Sequence, residues 1–406
     1  METVLNTITI DAAQLRGALA IAPVERSTTF PVLTSVCLQP YGAFIRALST
    51  DLDVHAVTDM DGTAANDKPI LIPQRKVLDI LKGESGLVTI AYRETVTMAT
   101  VRKPGKYENG QWIEGAEVEE ENKEHAVTLG VGGINYEFPA MDVCNFPQFP
   151  DEIEPAASMD GAQFREMLAH TMAAIPKEQS RYVLNGILFE MASAETTLCA
   201  TDGHRLAIET RNAGLSWRKQ FTETTSAVIP TSCVNWLYKN LGKTEIDVAI
   251  RENDVIFSLP NVRTVFTART LNGQFPNYEA VMPKAEAIII TARFDSSDSL
   301  TKTLAKVAKM ADDRSHAVKW AMNGTCVISA QSYESGKAQA TIPSTIEHTE
   351  STPEVTIGLN SDYVLDVLKI AGKGALSIAL KDSQSAALVK VEAFPGFAYV
   401  LMPMRI

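Results

Sequence analysis

A strand-then-helix phrase occurs three times along this chain, and no other feature constrains the fold as much. A short apolar strand runs into an amphipathic helix at ITIDAAQLRGALAIA (8–22), ASMDGAQFREMLAHTMAAI (157–175) and IIITARFDSSDSLTKTLAKVAKM (288–310). Each is followed, after strand-like sequence, by a second helical phrase: LIPQRKVLDILKG (71–83), VIPTSCVNWLYKNLG (228–242) and IGLNSDYVLDVLKIAG (357–372). Self-similarity at a long period marks a copied supersecondary unit, so three similar domains are expected. A length of 406 residues allows two or three domains. The 45% hydrophobic content suffices for a core in each.

Between the helices lie short β-rich runs, among them PVLTSVCLQP (31–40), GLVTIAYRETVTMATVR (86–102), NGILFEM (185–191), DVAIRENDVIFSLPNVRTVFTA (247–268), TCVISAQS (325–332) and AALVKVEAF (386–394). Strands are many, helices few, and the two do not alternate. The expectation is an α+β fold of antiparallel sheets with helices on one face. Segments combining an aromatic residue with proline, which cannot donate to a sheet ladder, close each third: NFPQFPDEIEP (145–155), GQFPNYEAVMP (273–283) and GFAYVLMPM (396–404). The domains are therefore drawn as residues 1–151, 152–283 and 284–406. The first contains a segment outside the repeat, residues 103–125, made acidic by Glu117, Glu119, Glu120, Glu121 and Glu124. It reads as a solvated loop or hairpin extension.

Chemistry-bearing motifs mostly fail. The Gly-Lys-Thr at 242–244 has Leu237 where a phosphate-binding loop needs its first glycine, and it follows a helix rather than a strand. Five scattered cysteines without a C-x-x-C read as reduced thiols, and six histidines form no ligand-spaced pair. Neither a metal nor a cofactor is expected. In TDGHRLA (201–207), Asp202, His204 and Arg205 could be read as acid, base and electrostatic stabiliser, but no nucleophile with an orienting group stands nearby. Asp-Gly is strong turn chemistry, and a turn is the simpler expectation. No apolar run is long enough to span a membrane and no signal-peptide layout begins the chain, so a cytoplasmic protein with no membrane partner is expected.

A formal net charge of −12 argues against nucleic acid if charge is only summed. Helix faces qualify that. Leu300, Leu304 and Val307 recur at the spacing of a buried stripe, and Lys302, Lys306 and Lys309 recur on the opposite side. The counterpart helices carry Arg16, Arg75 with Lys76, Arg165 and Lys239, all expected to be exposed. Like placement in like units would gather positive charge on one side and leave the acids elsewhere. Asp362 and Asp366, beside Lys369, interrupt the pattern on the last helix.

The phrases RYVLNGILFE (181–190), ATDGHRLA (200–207), GQFPNYEAVMP (273–283), SDYVLDVL (361–368) and YVLMPMRI (399–406) together resemble the bacterial DNA polymerase III beta subunit family. The resemblance covers essentially the whole chain. It implies a DNA clamp fold: three similar domains with sheets outside and helices inside, two chains forming a head-to-tail homodimeric ring. It implies a non-enzymatic processivity factor that encircles double-stranded DNA. It also implies partners: a replicative DNA polymerase subunit, a clamp loader and other proteins carrying clamp-binding motifs. By motif position, contacts to DNA fall on Arg26, Arg75 and Tyr182, with Lys177 added from the loop before RYVLNG. Glu178 and Val183 depart from the family pattern there, so weaker DNA contact by that loop is expected.

A hydrophobic pocket for partner peptides would use Leu184, Thr201, Gly203, His204, Arg205, Leu206, Pro276, Val281, Asn360, Tyr363, Val400, Met402, Pro403, Met404 and Arg405, with Gln384 and Ala386 on its rim. Apolar walls with a few polar anchors suit an extended peptide. Two alternatives remain open at this point: a clamp-derived scaffold that binds peptides without encircling DNA, and a hydrolase acting through Asp202 and His204.

Overall fold

The computed structural model describes all residues except 1, 26–29, 103–105, 109–110, 114–116, 150–154, 179–181, 193–194, 219–223, 334, 349–354 and 406. The described chain divides into two compact units. The first comprises residues 1–154 with 256–268, the second residues 155–255 with 269–406. Each is α+β, with antiparallel strands throughout the recorded pairings.

The repeated phrase folds the same way three times. Strand Glu2–Asp11 enters α1 (Ala12–Ile21), Ala157–Asp160 enters α3 (Gly161–Thr171), and Ile290–Phe294 leads to α5 (Ser297–Val307). The second phrase gives α2 (Gln74–Ile80), α4 (Thr231–Asn240) and α6 (Ser361–Ala371), each entered directly from a strand. Helices pack in pairs, α1 on α2, α3 on α4 and α5 on α6. One hydrogen bond recurs in every pair. The first helical N–H of Ala12, Gly161 or Ser297 donates to a carbonyl just beyond the partner helix, that of Gly86, Thr244 or Gly374, at 2.8, 3.1 and 3.0 Å. A helix leaves its first N–H groups without internal partners, and this contact satisfies one of them. Asp11 and Asp160 cap α1 and α3 by accepting from the backbone N–H groups two and three residues on, and Asn360 does the same for α6.

The sheets repeat as well. In the first unit the order is Ile70–Pro73, Ser35–Tyr41, Phe44–Thr50, Val54–Ala64, then Thr264–Arg269. In the second unit it is Thr225–Pro230, Gly186–Ala192, Glu195–Thr201, Arg205–Arg211, then Phe397–Leu401. A third sheet runs Val355–Asn360, Ala317–Asn323, Thr325–Ser332, Gly336–Ile342, and among the described residues no strand follows. In the first two sheets the final place goes to the last strand of the following repeat. In the third it is open. Among the described residues, strand Ile134–Pro139, the last of the first repeat, likewise pairs on one side only, with Glu117–Val131.

Burial follows the sequence periodicity. Leu300, Leu304 and Val307 are buried, while Lys302, Lys306 and Lys309 are exposed. Each such apolar side chain contributes about 1.5–3 kcal/mol. Of the two readings of the acidic segment, hairpin extension fits its residues 117–125, which lie on the strand Glu117–Val131. Strand Leu87–Arg102 pairs with Glu117–Val131 continuously from Thr89↔Gly130 to Arg102↔Glu117. The runs 31–40 and 247–268 are broken by turns. Pro31–Thr34 is a 3-10 turn, and the second run contains strands Glu245–Ile250, Asp254–Leu259 and Thr264–Arg269.

Candidate functional site

The TDGHR segment is a tight turn between strands Glu195–Thr201 and Arg205–Arg211. Thr201 Oγ1 donates to the Arg205 carbonyl at 2.6 Å and accepts from Gly203 N–H at 3.1 Å. Asp202 Oδ1 accepts from the His204 and Arg205 N–H groups at 2.9 and 3.0 Å. Gly203 occupies φ +88°, a conformation that costs an L-residue about 1–2 kcal/mol. The turn reading is therefore the right one, and the carboxylate of a would-be acid–base pair is committed to backbone and Arg205.

Arg205 is the centre of the site. Its side chain is 3% exposed. Nε donates to Asp202 at 3.0 Å, and Nη1 donates to Asp366 at 2.7 Å and to the Tyr399 hydroxyl at 3.1 Å. The guanidinium stacks on the Tyr363 ring at 4.3 Å. Burial alone would favour losing its proton, but Tyr399, Asp366 and Asp202 outweigh that and raise its pKa. Burial likewise pushes on the Asp366 carboxyl, where hydrogen bonds from Lys369 and Arg205 prevail and hold it below its ordinary value.

Above this network lies a cavity of about 180 Å³. Leu184, Thr201, Gly203, Arg205, Leu206, Pro276, Val281, Val400 and Met402 line it, all expected from the sequence. Asn277 and Tyr278 line it too, although sequence reading passes over them within the phrase QFPNYEAV. The Tyr278 hydroxyl donates to Glu190 at 2.9 Å; burial first, then that carboxylate, raises its pKa. Val281 and Met402 are 44% and 41% exposed, so the mouth of the cavity is apolar and open to solvent.

Six further residues expected in the pocket do other work. His204 is exposed, and its carbonyl holds the Met402 N–H at 2.9 Å. Asn360 caps α6, and Tyr363 lies beneath Arg205. Pro403 and Met404 are half-buried beyond the cavity, where Met404 N–H donates to Gly358 at 2.8 Å. Arg405 lines a separate groove on the third sheet. Of the two rim positions, Ala386 packs against the apolar cluster under the cavity, while Gln384 is exposed in the turn held by Asp382.

The first unit repeats the turn with different residues. Thr50 Oγ1 donates to the Val54 carbonyl at 2.8 Å and accepts from Leu52 N–H at 2.9 Å, and Asp51 Oδ1 accepts from Asp53 and Val54 N–H at 3.1 and 2.9 Å. Leu52 even holds φ +80°. Val54 and His55 replace Arg205 and Leu206, so the buried charge cluster has no counterpart there. In the equivalent hairpin of the third sheet the Ser332 hydroxyl accepts from Ser335 N–H at 2.9 Å.

The basic residues divide into tied and available. Arg16, expected to be exposed, is half-buried and donates to the Leu81 and Glu84 carbonyls at 3.1 and 2.9 Å. Arg165 is exposed but donates to the Tyr238 carbonyl at 2.7 Å and stacks on that ring. Both cations sit on the first helix of a pair and bind carbonyls at the end of the second, where the helix dipole favours positive charge. Lys302 pairs with Asp298, and Lys369 with Asp366. Arg75, Lys76, Lys177, Lys239, Lys306 and Lys309 are exposed, with no ion pair recorded among the described residues. Arg26 and the side chain of Tyr182 lie outside the described residues. Among the described residues no group of three or more His, Cys, Asp or Glu could hold a metal, and no helix is long and apolar enough to cross a membrane.

Comparison with known proteins gives one consistent answer. The family description "DNA polymerase III beta subunit, central domain" matches residues 158–277, and "DNA polymerase III beta subunit, C-terminal domain" matches 279–405. The chain is 26% identical over 403 residues to the beta sliding clamp of Pseudomonas aeruginosa, covering 96% of each. It is 25% identical over 389 residues to that of Escherichia coli, covering 95% of each. In structure it resembles the P. aeruginosa DNA polymerase III subunit beta, with TM-score 0.81, 24% identity and 98% and 100% of the two chains covered. The sliding clamp of Bacillus subtilis has the same TM-score at 19% identity, with 99% of each chain covered. A further P. aeruginosa structure of this kind is bound to griselimycin.

Proposed function

The chain belongs to the DNA polymerase III beta subunit family, and from that premise we propose how this sliding clamp works. It is a DNA polymerase processivity factor, without catalytic activity of its own. Two copies close head to tail into a ring of six similar domains, three per chain with boundaries near 152 and 284. The observation that carries this is the pair of unfilled sheet edges. Within the chain, Val54–Ala64 receives Thr264–Arg269, and Arg205–Arg211 receives Phe397–Leu401. Gly336–Ile342 has no such partner among the described residues, and Ile134–Pro139 has a free edge to offer. Pairing the two between copies completes the series, and a heterologous contact that closes gives a ring. Such closure also buries strand edges that would otherwise invite aggregation.

A ring that encircles duplex DNA needs contacts that slide. Arg75, Lys76, Lys177, Lys239, Lys306 and Lys309 would meet phosphates without reading bases, with Arg26 and Tyr182 joining them by motif position. The acidic total of −12 then resides elsewhere on the molecule, part of it on the Glu117–Val131 ribbon. The cavity over Arg205 takes a large apolar side chain of a partner peptide, with Met402 and Val281 adapting at its mouth. The partners are a replicative polymerase subunit, a clamp loader and other proteins with the same motif, in the cytoplasm.

Met402→Asp, or deletion of residues 402–406, is expected to abolish binding of a labelled polymerase peptide while sedimentation still reports the dimer. Unchanged affinity would refute the pocket. A clamp-derived scaffold without a ring predicts a monomer of 44.2 kDa at every concentration. A hydrolase predicts turnover sensitive to His204→Ala, and none is expected.

A further inference from the structure

Next to the peptide cavity, the third sheet carries a groove of about 670 Å³ on one face. Helix α5 packs on the other face of that sheet, against strands Thr325–Ser332 and Gly336–Ile342, where Cys326, Ile328 and Ile342 are buried. The groove therefore faces away from the helices that would meet DNA. Its cations are Lys319, Lys337 and Arg405, all exposed and none with an ion-pair partner among the described residues. Its one acid, Asp312, is already occupied: the Arg314 and Ser315 N–H groups donate to it at 3.0 Å each and hold its carboxyl below the ordinary value.

A single cross-strand row leads into the groove from Met404, two residues along the chain from the cavity-lining Met402. Met404 bridges to Gly358, Gly358 lies opposite Lys319, Lys319 opposite Ser329, and Ser329 opposite Gln339. Each step is a strand spacing, so Lys319 lies about 10 Å from Met404, or about three residues of extended chain. A peptide anchored in the cavity and leaving past Met404 enters the groove within that distance.

We propose that this groove binds an acidic segment flanking the apolar anchor of the partner peptide, through Lys319, Lys337 and Arg405. This rests on the peptide-pocket reading and adds a charge requirement to it. The carboxylates would meet cations that have no ion-pair partner among the described residues, while Ser329 and Gln339 supply neutral hydrogen-bonding groups along the floor. Exposed pairs are individually weak, so the gain is a few-fold and screened by salt.

The test uses the full-length protein and fluorescent peptides of three kinds. One has a Leu-Phe anchor alone. The second has the anchor with three glutamates beginning three residues away, made in both orientations. The third has the same glutamates with the anchor replaced by alanine. At low salt, one orientation of the flanked peptide is expected to bind roughly fivefold tighter than the anchor alone. The gain should vanish in Lys319→Glu/Lys337→Glu, and in the milder Lys319→Ala/Lys337→Ala, while the anchor-only peptide binds both variants as it binds the parent. Equal affinity of flanked and unflanked peptides, or a gain that survives both variants, overturns the groove. If a short DNA duplex loses affinity in the variants while the peptides do not, the groove serves DNA and the proposal falls. If the anchor-only peptide fails to bind while the alanine-substituted acidic peptide binds, the pocket reading falls and the groove stands.

Discussion

Arg205 links residues from three distant parts of the sequence: the turn acid Asp202, Asp366 on α6 and Tyr399 on the last strand. Removing it takes the shared guanidinium from two partly buried carboxylates, so Arg205→Ala should cost about 3 kcal/mol in denaturant unfolding, as expected for breaking a buried pair. Asp366 makes that stability pH-dependent. Its folded pKa lies below the ordinary carboxylate value, so its contribution is full at neutral pH and is lost as pH falls through the folded value. The stability gap between the parent and Asp366→Asn should therefore be widest at pH 7 and close in acid below pH 3.8; a gap independent of pH would contradict the pairing. Sequence reading identifies Arg205 but not this partner, 161 positions away, because nothing local encodes the approach. The turn itself is legible, down to its echo at residues 50–56. That echo supplies a second substitution. Leu52 shows that a leucine can hold the positive φ of this turn, so Gly203→Leu should fold at a cost of about 1–2 kcal/mol. Its side chain would enter the cavity, and peptide affinity should fall at least tenfold by fluorescence anisotropy. Undiminished affinity would mean that the peptide does not bind there.

Among the elements, the six helices are readable from periodicity and turn chemistry, because each buries one stripe against a sheet. What periodicity cannot reveal is whether a solvent-side cation is free. Arg16 and Lys306 look alike in sequence, yet Arg16 closes the end of α2. The two should separate experimentally. Lys306→Ala with Lys309→Ala should reduce the slope of log affinity for DNA against log salt by about 0.9 for each phosphate a lysine had neutralised, and leave the melting temperature unchanged. Arg16→Ala should leave that slope alone and cost about 1.5 kcal/mol, as expected for hydrogen bonds from a charged donor. The reverse outcome would exchange their roles. The acidic segment is legible only in part: its turn-forming composition allows loop or hairpin extension alike, and the long pairing between Leu87–Arg102 and Glu117–Val131 is set by a non-local register.

At the scale of the whole molecule, the repeat predicts its own incompleteness. Three equivalent sheets need three guest strands, and among the described residues the chain supplies two to itself. Ile134, 55% exposed on the strand with the free edge, should become covered on assembly. Ile134→Asp should then shift sedimentation from the dimer toward 44.2 kDa without changing the circular dichroism spectrum. Repetition is visible in the sequence from the outset. Which edge stays open is not, because strand order is a property of the folded sheet. The most direct test of encirclement is retention on DNA topology. Protein loaded on a nicked circular duplex should remain bound through gel filtration at moderate salt and be released when the circle is cut once. Equal loss from circle and linear duplex, or equal retention on both, would contradict encirclement.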